Sequence, residues 1–163
     1  NSKKAIKETK CDAVKVEGGT RVKEIVKHLV KNKIPVLGHI GITPQTAKGK
    51  FRSKGKNESE IRKLLKDARD LEQSGAFGMV LECIYSDISK QITNAINIPT
   101  IGIGASVNCD GQVLVTDDLI GLNETKFRFV KKFGNIKKEI KSAVIKYKNS
   151  VKQRKFPSKK NSY

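Results

Sequence analysis

The sequence predicts an α/β fold built on a parallel sheet and, within that class, a barrel. Two observations carry this. Short apolar runs bounded by turn residues alternate with stretches whose apolar residues recur at helical spacing, and strands separated by helices pair in parallel through right-handed crossovers. Three of the strands also end in a polar residue, Glu17, His39 and Glu82, and in a parallel α/β barrel the reacting groups come from the carboxyl ends of several strands. An open doubly wound sheet would instead carry a glycine-rich phosphate loop at its first helix. The run Gly102-Ile103-Gly104-Ala105 lacks the third glycine at the required spacing and leads into a loop, so the barrel is favoured.

The elements follow in order. Residues 2–10 read as the last turns of a helix feeding the first strand, 13–17. Gly18-Gly19-Thr20 then turns the chain. Thr20 is expected to cap a helix reaching about Asn32, with Val22, Ile25, Val26, Leu29 and Val30 on its apolar side. The second strand is 34–39. After a loop rich in glycine and lysine, Ser59 and Glu60 open a helix that carries Ile61, Leu64, Leu65, Ala68 and Leu71 and closes at Ser74-Gly75. The third strand is 78–82, the next helix 86–97, and the fourth strand 98–104. A turn containing Asp110-Gly111 follows, then helix over about 126–151 with a break near Gly134-Asn135. We expect residues 1–151 to belong to one barrel domain and 152–163, rich in lysine and serine, to be a frayed tail.

Composition narrows the function. A length of 163 residues with 37% hydrophobic side chains supports one domain with a core. No apolar run approaches the ~20 residues that span a bilayer, so the chain is expected to be cytoplasmic, with no membrane partner. Cys11, Cys83 and Cys109 are odd in number, far apart and never in a C-x-x-C arrangement, which speaks against a disulfide framework or a zinc site and fits a reducing compartment. They read as packing residues. The net charge of +18 attracts phosphates in principle. Its lysines, however, are spread over nearly every helix, and aromatics make up only 6%. A solvated basic surface is therefore the better reading than a nucleic-acid footprint.

The most telling segment is Ala13-Val14-Lys15-Val16-Glu17-Gly18-Gly19. Side chains alternate across a strand, so Lys15 and Glu17 share a face. Burying an ammonium and a carboxylate at the end of an apolar strand is costly unless they meet each other, a metal or a substrate. His39 is either part of the same pocket or a core histidine donating to a backbone carbonyl. Glu82 is either a functional acid or the cap of the following turn. His28 lies in a lysine-rich helix and reads as surface.

Four motifs in register sharpen this: Lys15-Val16-Glu17-Gly18-Gly19, Gly38-His39-Ile40-Gly41-Ile42-Thr43-Pro44-Gln45, Leu81-Glu82-Cys83, and Ile101-Gly102-Ile103-Gly104-Ala105 followed by Asp110-Gly111-Gln112. In this order and spacing they closely resemble the ketopantoate (3-methyl-2-oxobutanoate) hydroxymethyltransferase family. The resemblance implies a (β/α)8 TIM barrel and dependence on Mg2+. It also implies transfer of a hydroxymethyl group from 5,10-methylenetetrahydrofolate to 3-methyl-2-oxobutanoate, giving 2-dehydropantoate, by a cytoplasmic homo-oligomer that is often a decamer. Carried over by motif, Lys15 would bind the keto acid, Glu17 would belong to the magnesium site, Glu82 would be the proton acceptor and His39 would line the pocket. These roles make chemical sense. Magnesium takes oxygen ligands and stabilises an enolate as a Lewis acid, Lys15 can hold a carboxylate as a point charge, and partial desolvation between Leu81 and Cys83 suits Glu82 to act as a base.

A complete barrel of this kind needs roughly 250 residues and eight strands, whereas four βα units are legible here. The chain is therefore expected to be the carboxyl-terminal portion of a longer protein, starting just before the family's fourth strand. Two aspartates of the magnesium site and a substrate-contacting serine would lie upstream, and the stretch alone would bind Mg2+ poorly and be inactive. Two departures from the family pattern stand out: a shorter, more basic loop from Thr46 to Lys56, and Ser106 where a glycine is usual, which would be strained if that position needs positive φ. Two other readings stay open. One is another magnesium-dependent oxo-acid enzyme of the phosphoenolpyruvate mutase type. The other is a basic, non-catalytic nucleic-acid-binding module acting through the lysine-rich tail.

Overall fold

Branched apolar runs too short for helices pair side by side in chain order, producing one parallel sheet of order β1-β2-β3-β4-β5. The computed structural model describes residues 1–45, 52–124 and 126–163. These fall into two units, Asn1–Val113 and Leu114–Tyr163, of which the first holds the sheet.

The first unit opens with helix α1, Ser2–Thr9, which stops where Lys10 turns left-handed at φ 56°. Strand β1 follows as Val14–Glu17. A short 3-10 turn, Thr20–Val22, then leads into α2, Lys23–Lys31. Thr20 is not the expected cap, since no side chain caps α2; its backbone N–H and hydroxyl instead donate to Asp67, at 2.7 and 2.9 Å. Of the five apolar residues expected on the inner side of α2, Val26 is fully buried and Val22, Leu29 and Val30 pack partly against the core, while Ile25 faces solvent.

Strand β2 is Val36–Gly41, two residues beyond the expected 34–39, because Pro35 offers no N–H to a ladder and its carbonyl accepts from Val14 instead. Helix α3, Glu58–Gln73, is capped by the Asn57 side chain, which accepts from Glu60 N–H. Its buried residues are Leu64, Asp67, Ala68 and Leu71. Strand β3, Gly78–Glu82, matches expectation. Helix α4 is Ser86–Ala95 and β4 is Thr100–Ile103. A fifth strand, β5, Gly111–Gln112, lies where only a turn was expected and pairs in parallel with β4. Two residues are too few to show alternation, so it has no pattern to read.

The register decides which residues share a face. Lys15 lies beside Leu37 and Glu17 beside His39; His39 lies beside Val80 and Gly41 beside Glu82; Glu82 lies beside Ile103. One face of the sheet therefore carries Lys15, Glu17, His39 and Glu82. The other carries Val36, Ile40, Met79 and Leu81, which pack with Val26 of α2, Leu64 and Leu71 of α3, and Ile88 and Ile92 of α4. Sequential parallel order with no reversal leaves no switch point of the doubly wound kind and is the order found in the wall of a barrel.

In the second unit, α5 is Thr116–Leu119 and α6 is Ile136–Lys152. The helix expected from about residue 126 begins ten residues later. Phe133 and Ile136 donate their N–H groups to the carbonyls of Leu119 and Ile120, and a Cβ on Gly121 would sit 2.2 Å from the Gly134 carbonyl oxygen. These ties hold the preceding segment in turns, and Asn135 caps α6 by accepting from Lys138 N–H at 3.3 Å. The tail contains one more 3-10 turn, Lys159–Asn161, and is exposed.

Of the basic loop expected between Thr46 and Lys56, residues 46–51 lie outside the described residues. Lys54 is described: its N–H donates to the Cys83 carbonyl and its own carbonyl accepts from Tyr85. The strain anticipated at Ser106 is absent, because Ser106 is not among the positive-φ residues. Its side chain is buried, and its hydroxyl meets Ser86 Oγ and the Asn108 amide.

Candidate active site

Three side chains from three neighbouring strands meet at one end of the sheet. Glu17 closes β1, His39 sits two residues before the end of β2, and Glu82 closes β3. The His39 ring lies between the two carboxylates, with Nε2 3.1 Å from Glu82 Oε2 and Nδ1 3.7 Å from Glu17 Oε1. His39 is 1% exposed, yet neither ring nitrogen makes a hydrogen bond of acceptable geometry. Among the described residues its ring nitrogens face the two carboxylates and not a backbone carbonyl. A buried imidazole set between two carboxylates is a group that calls for a functional account.

Glu17 has a side chain only 9% exposed, and its Oε2 accepts from the Gln45 N–H at 3.2 Å. The contact runs through the Gln45 backbone, which no residue identity announces. Lys15 lies on the same face one strand repeat earlier, but it is exposed and is not paired with Glu17. The expectation that both charges are buried thus holds for the carboxylate and fails for the ammonium.

The Glu82 side chain is 18% exposed, flanked by the buried Leu81 and the half-buried Cys83. It does not cap the next helix, since α4 has no side-chain cap. Its backbone is fixed from both sides: the Glu82 carbonyl accepts from Ile42 N–H and the next N–H, of Cys83, donates to Ile103, both at 2.9 Å. Gly41, at φ +98°, makes the first bond possible, because a Cβ there would stand 2.1 Å from the Glu82 carbonyl oxygen. Cys83 adopts φ 51° without being glycine, a conformation that costs roughly 1–2 kcal/mol. Burial, and secondarily the charge of Glu82, push its thiol pKa above the ordinary value, so Cys83 is no activated nucleophile. Cys109 belongs to the core, and none of the three cysteines is bonded to another. His28 is exposed on α2, as expected.

One positioning residue escaped the sequence reading. Asp67 of α3 is 4% exposed, accepts from Thr20 as described, and pairs with Lys63 Nζ at 2.6 Å. It anchors the turn that follows Glu17. The signal was present: Asp67 falls in the apolar stripe of its helix, between Leu64 and Ala68.

Magnesium takes oxygen ligands in near-octahedral geometry. Glu17 offers the right donor type, but one of its oxygens already accepts from Gln45. No group of three or more His, Cys, Asp or Glu side chains is disposed to hold a metal among the described residues. The arrangement can instead take up a proton at a carboxylate held beside an imidazole, on a face of the sheet that also carries a cation.

The sequence matches the family model described as ketopantoate hydroxymethyltransferase over residues 1–159. Among curated proteins it is similar to the 3-methyl-2-oxobutanoate hydroxymethyltransferase of Pelagibacter ubique, at 56% identity over all of this chain and 63% of the relative. Proteins of the same name from Clostridium botulinum and Rhizobium etli are 49% and 45% identical, again over the whole chain and 60% and 61% of the relatives. The chain thus spans about three fifths of the length of the curated relatives it matches.

Proposed function

Because the chain belongs to the ketopantoate hydroxymethyltransferase family, we propose that it carries the proton-abstracting part of a site that transfers a hydroxymethyl group from 5,10-methylenetetrahydrofolate to 3-methyl-2-oxobutanoate, giving 2-dehydropantoate. The observation that supports this is the convergence of Glu17, His39 and Glu82 on one end of three adjacent parallel strands.

Glu82 is the base. Its carboxylate takes the proton from C3 of the keto acid, and the electrons of the broken C–H bond form the enolate that attacks the one-carbon unit. Partial exposure lets substrate reach it, and its doubly tied backbone keeps the carboxylate aimed. Lys15, exposed on the same face, attracts the substrate carboxylate. Glu17 would contribute one magnesium ligand, directly or through water. When bound, the ion supplies Lewis-acid stabilisation of the negative charge on the keto oxygen.

No helix among the described residues is long and apolar enough to cross a membrane, and unpaired thiols suit a reducing compartment. We place the protein in the cytoplasm, acting on small molecules as a homo-oligomer such as the decamer implied by the family.

The test is proton exchange. This chain replaces the matching segment of the Pelagibacter relative, and the chimera is incubated with 3-methyl-2-oxobutanoate, Mg2+ and heavy water while NMR follows deuterium entering C3. Exchange is expected with the native sequence, and Glu82→Gln lowers it by at least about 100-fold. Undiminished exchange in the variant refutes Glu82 as the base.

A further inference from the structure

We propose that His39 is the positioning residue for the base: Nε2–H of its imidazole engages Glu82 Oε2 in the reacting state and fixes which carboxylate oxygen faces the substrate. The inference rests on the reading of Glu82 as proton acceptor. Its observations are those of the structure itself. Nε2 already stands 3.1 Å from Glu82 Oε2, within reach of a hydrogen bond. The ring is 1% exposed, so no bulk water completes its valences.

Catalytic hydrogen bonds are commonly long or misaligned without substrate and tighten once it binds. A small turn of the Glu82 carboxylate closes this one, because the backbone on both sides of Glu82 is already held and only its side-chain torsions remain free. The ring itself is less able to move. It is buried in β2, its carbonyl accepts from Gly18 N–H at 2.9 Å, and Glu17 stands on its other side. A fixed donor facing an adjustable acceptor is the arrangement in which the donor sets the geometry. With one oxygen engaged by His39, the other is left to take the C3 proton. His39 is thereby a positioning residue and does not itself touch the keto acid.

Two experiments test this, one without substrate. The chain has only two histidines, so long-range 1H–15N NMR of the ring nitrogens is simple to read. At fixed pH, His39 Nε2 is expected to carry a proton, and its 15N resonance is expected to move on Glu82→Ala while that of the exposed His28 stays. A His39 Nε2 signal without a proton, or unmoved by the substitution, overturns the proposal.

The second uses the exchange reaction of the chimera. His39→Ala is expected to lower kcat for exchange about 100-fold with KM changed less than about twofold. His39→Gln, which keeps an N–H donor, is expected to restore about a tenfold share of that loss. A rise in KM with kcat intact, or failure of glutamine to exceed alanine, overturns the proposal. If Glu82→Gln leaves exchange intact, the base assignment fails separately, while the NMR experiment still reports on the His39–Glu82 contact.

Discussion

The turn after Glu17 gives the sharpest test of how the site is held. Gly19 sits so close to Asp67 that a Cβ on it would lie 1.9 Å from Asp67 Cγ and 2.1 Å from Oδ1. Its φ of −92° with ψ of −124° lies outside the regions open to residues with a Cβ, so alanine there also carries a backbone cost. The remaining cost of Gly19→Ala comes from displacing the Asp67 side chain. Asp67 accepts from Thr20 N–H and Thr20 Oγ–H, and hydrogen bonds to a charged group contribute about 1.5–3 kcal/mol each. The pair at the low end comes to about 3 kcal/mol. The Lys63 ion pair, with its lysine exposed, adds at most about 1 kcal/mol. Asp67→Ala should thus destabilise the Asn1–Val113 unit by about 3 kcal/mol. Gly19→Ala should cost at least as much, since it expels the same carboxylate. In the double variant the loss of the Thr20 bonds is counted once, so the two costs should sum to less than additive, although the Cβ of residue 67, 2.3 Å from one on residue 19, still stands in the way. Urea unfolding, followed by circular dichroism and by hydrogen exchange of β2 and β3 amides, reads each value. With a slope near 2 kcal/mol per molar, each single change moves the midpoint by roughly 1.5 M. Additive costs would show that the close approach of Gly19 to Asp67 does not hold the turn, and the reasoning would fall.

Three further predictions follow from the same structure. Gly41→Ala forces a positive φ on alanine and drives its Cβ into the Glu82 carbonyl, so it should destabilise the unit by about 3 kcal/mol or more and abolish C3 proton exchange in the chimera; near-native exchange would contradict the role given to that glycine. Asp110 accepts from Thr100 N–H and the Thr100 hydroxyl at 2.8 and 3.0 Å, and these bonds, the backbone one foremost, hold its pKa below the ordinary carboxylate value. The folded-state pKa is therefore the lower one, so the contribution of Asp110 is present above the unfolded-state pKa and is lost as pH falls through the folded one; Asp110→Asn should flatten the acid limb of a stability-against-pH curve and leave its slope near neutrality unchanged. Cys83, with its thiol pKa raised, should react with iodoacetamide at pH 8 more slowly than a free cysteine, as peptide mapping after timed alkylation would show.

What the residues revealed divides along physical lines. Strand β3 and helix α3 were legible because each signal is local: an apolar run opened by Gly78 and closed by Glu82, and a 3.6-residue apolar stripe ending at Ser74-Gly75. The convergence of Glu17, His39 and Glu82 was legible because parallel pairing brings strand ends together once their order is known. What escaped was non-local or carried by backbone. β5 owes its existence to pairing with β4 and has no pattern of its own. The late start of α6 is imposed by bonds back to Leu119 and Ile120. Thr20 looked like a cap and became a donor to an aspartate 47 residues away. The exposure of Lys15 could not be read from alternation, which assigns a face but not what covers it.

The register between β1 and β2 puts Glu17 directly beside His39, so the distance between these two groups is set by the pitch of the hydrogen-bonded ladder, about 4.8 Å from strand to strand. Nothing in the connecting segments enters that distance. Insertions or deletions in the links that join one strand to the next can accumulate without detuning the pair, whereas a slip of a single residue in pairing would turn one of them to the opposite side and separate them at once. Natural variation in proteins built this way should concentrate in the links and spare the ladder.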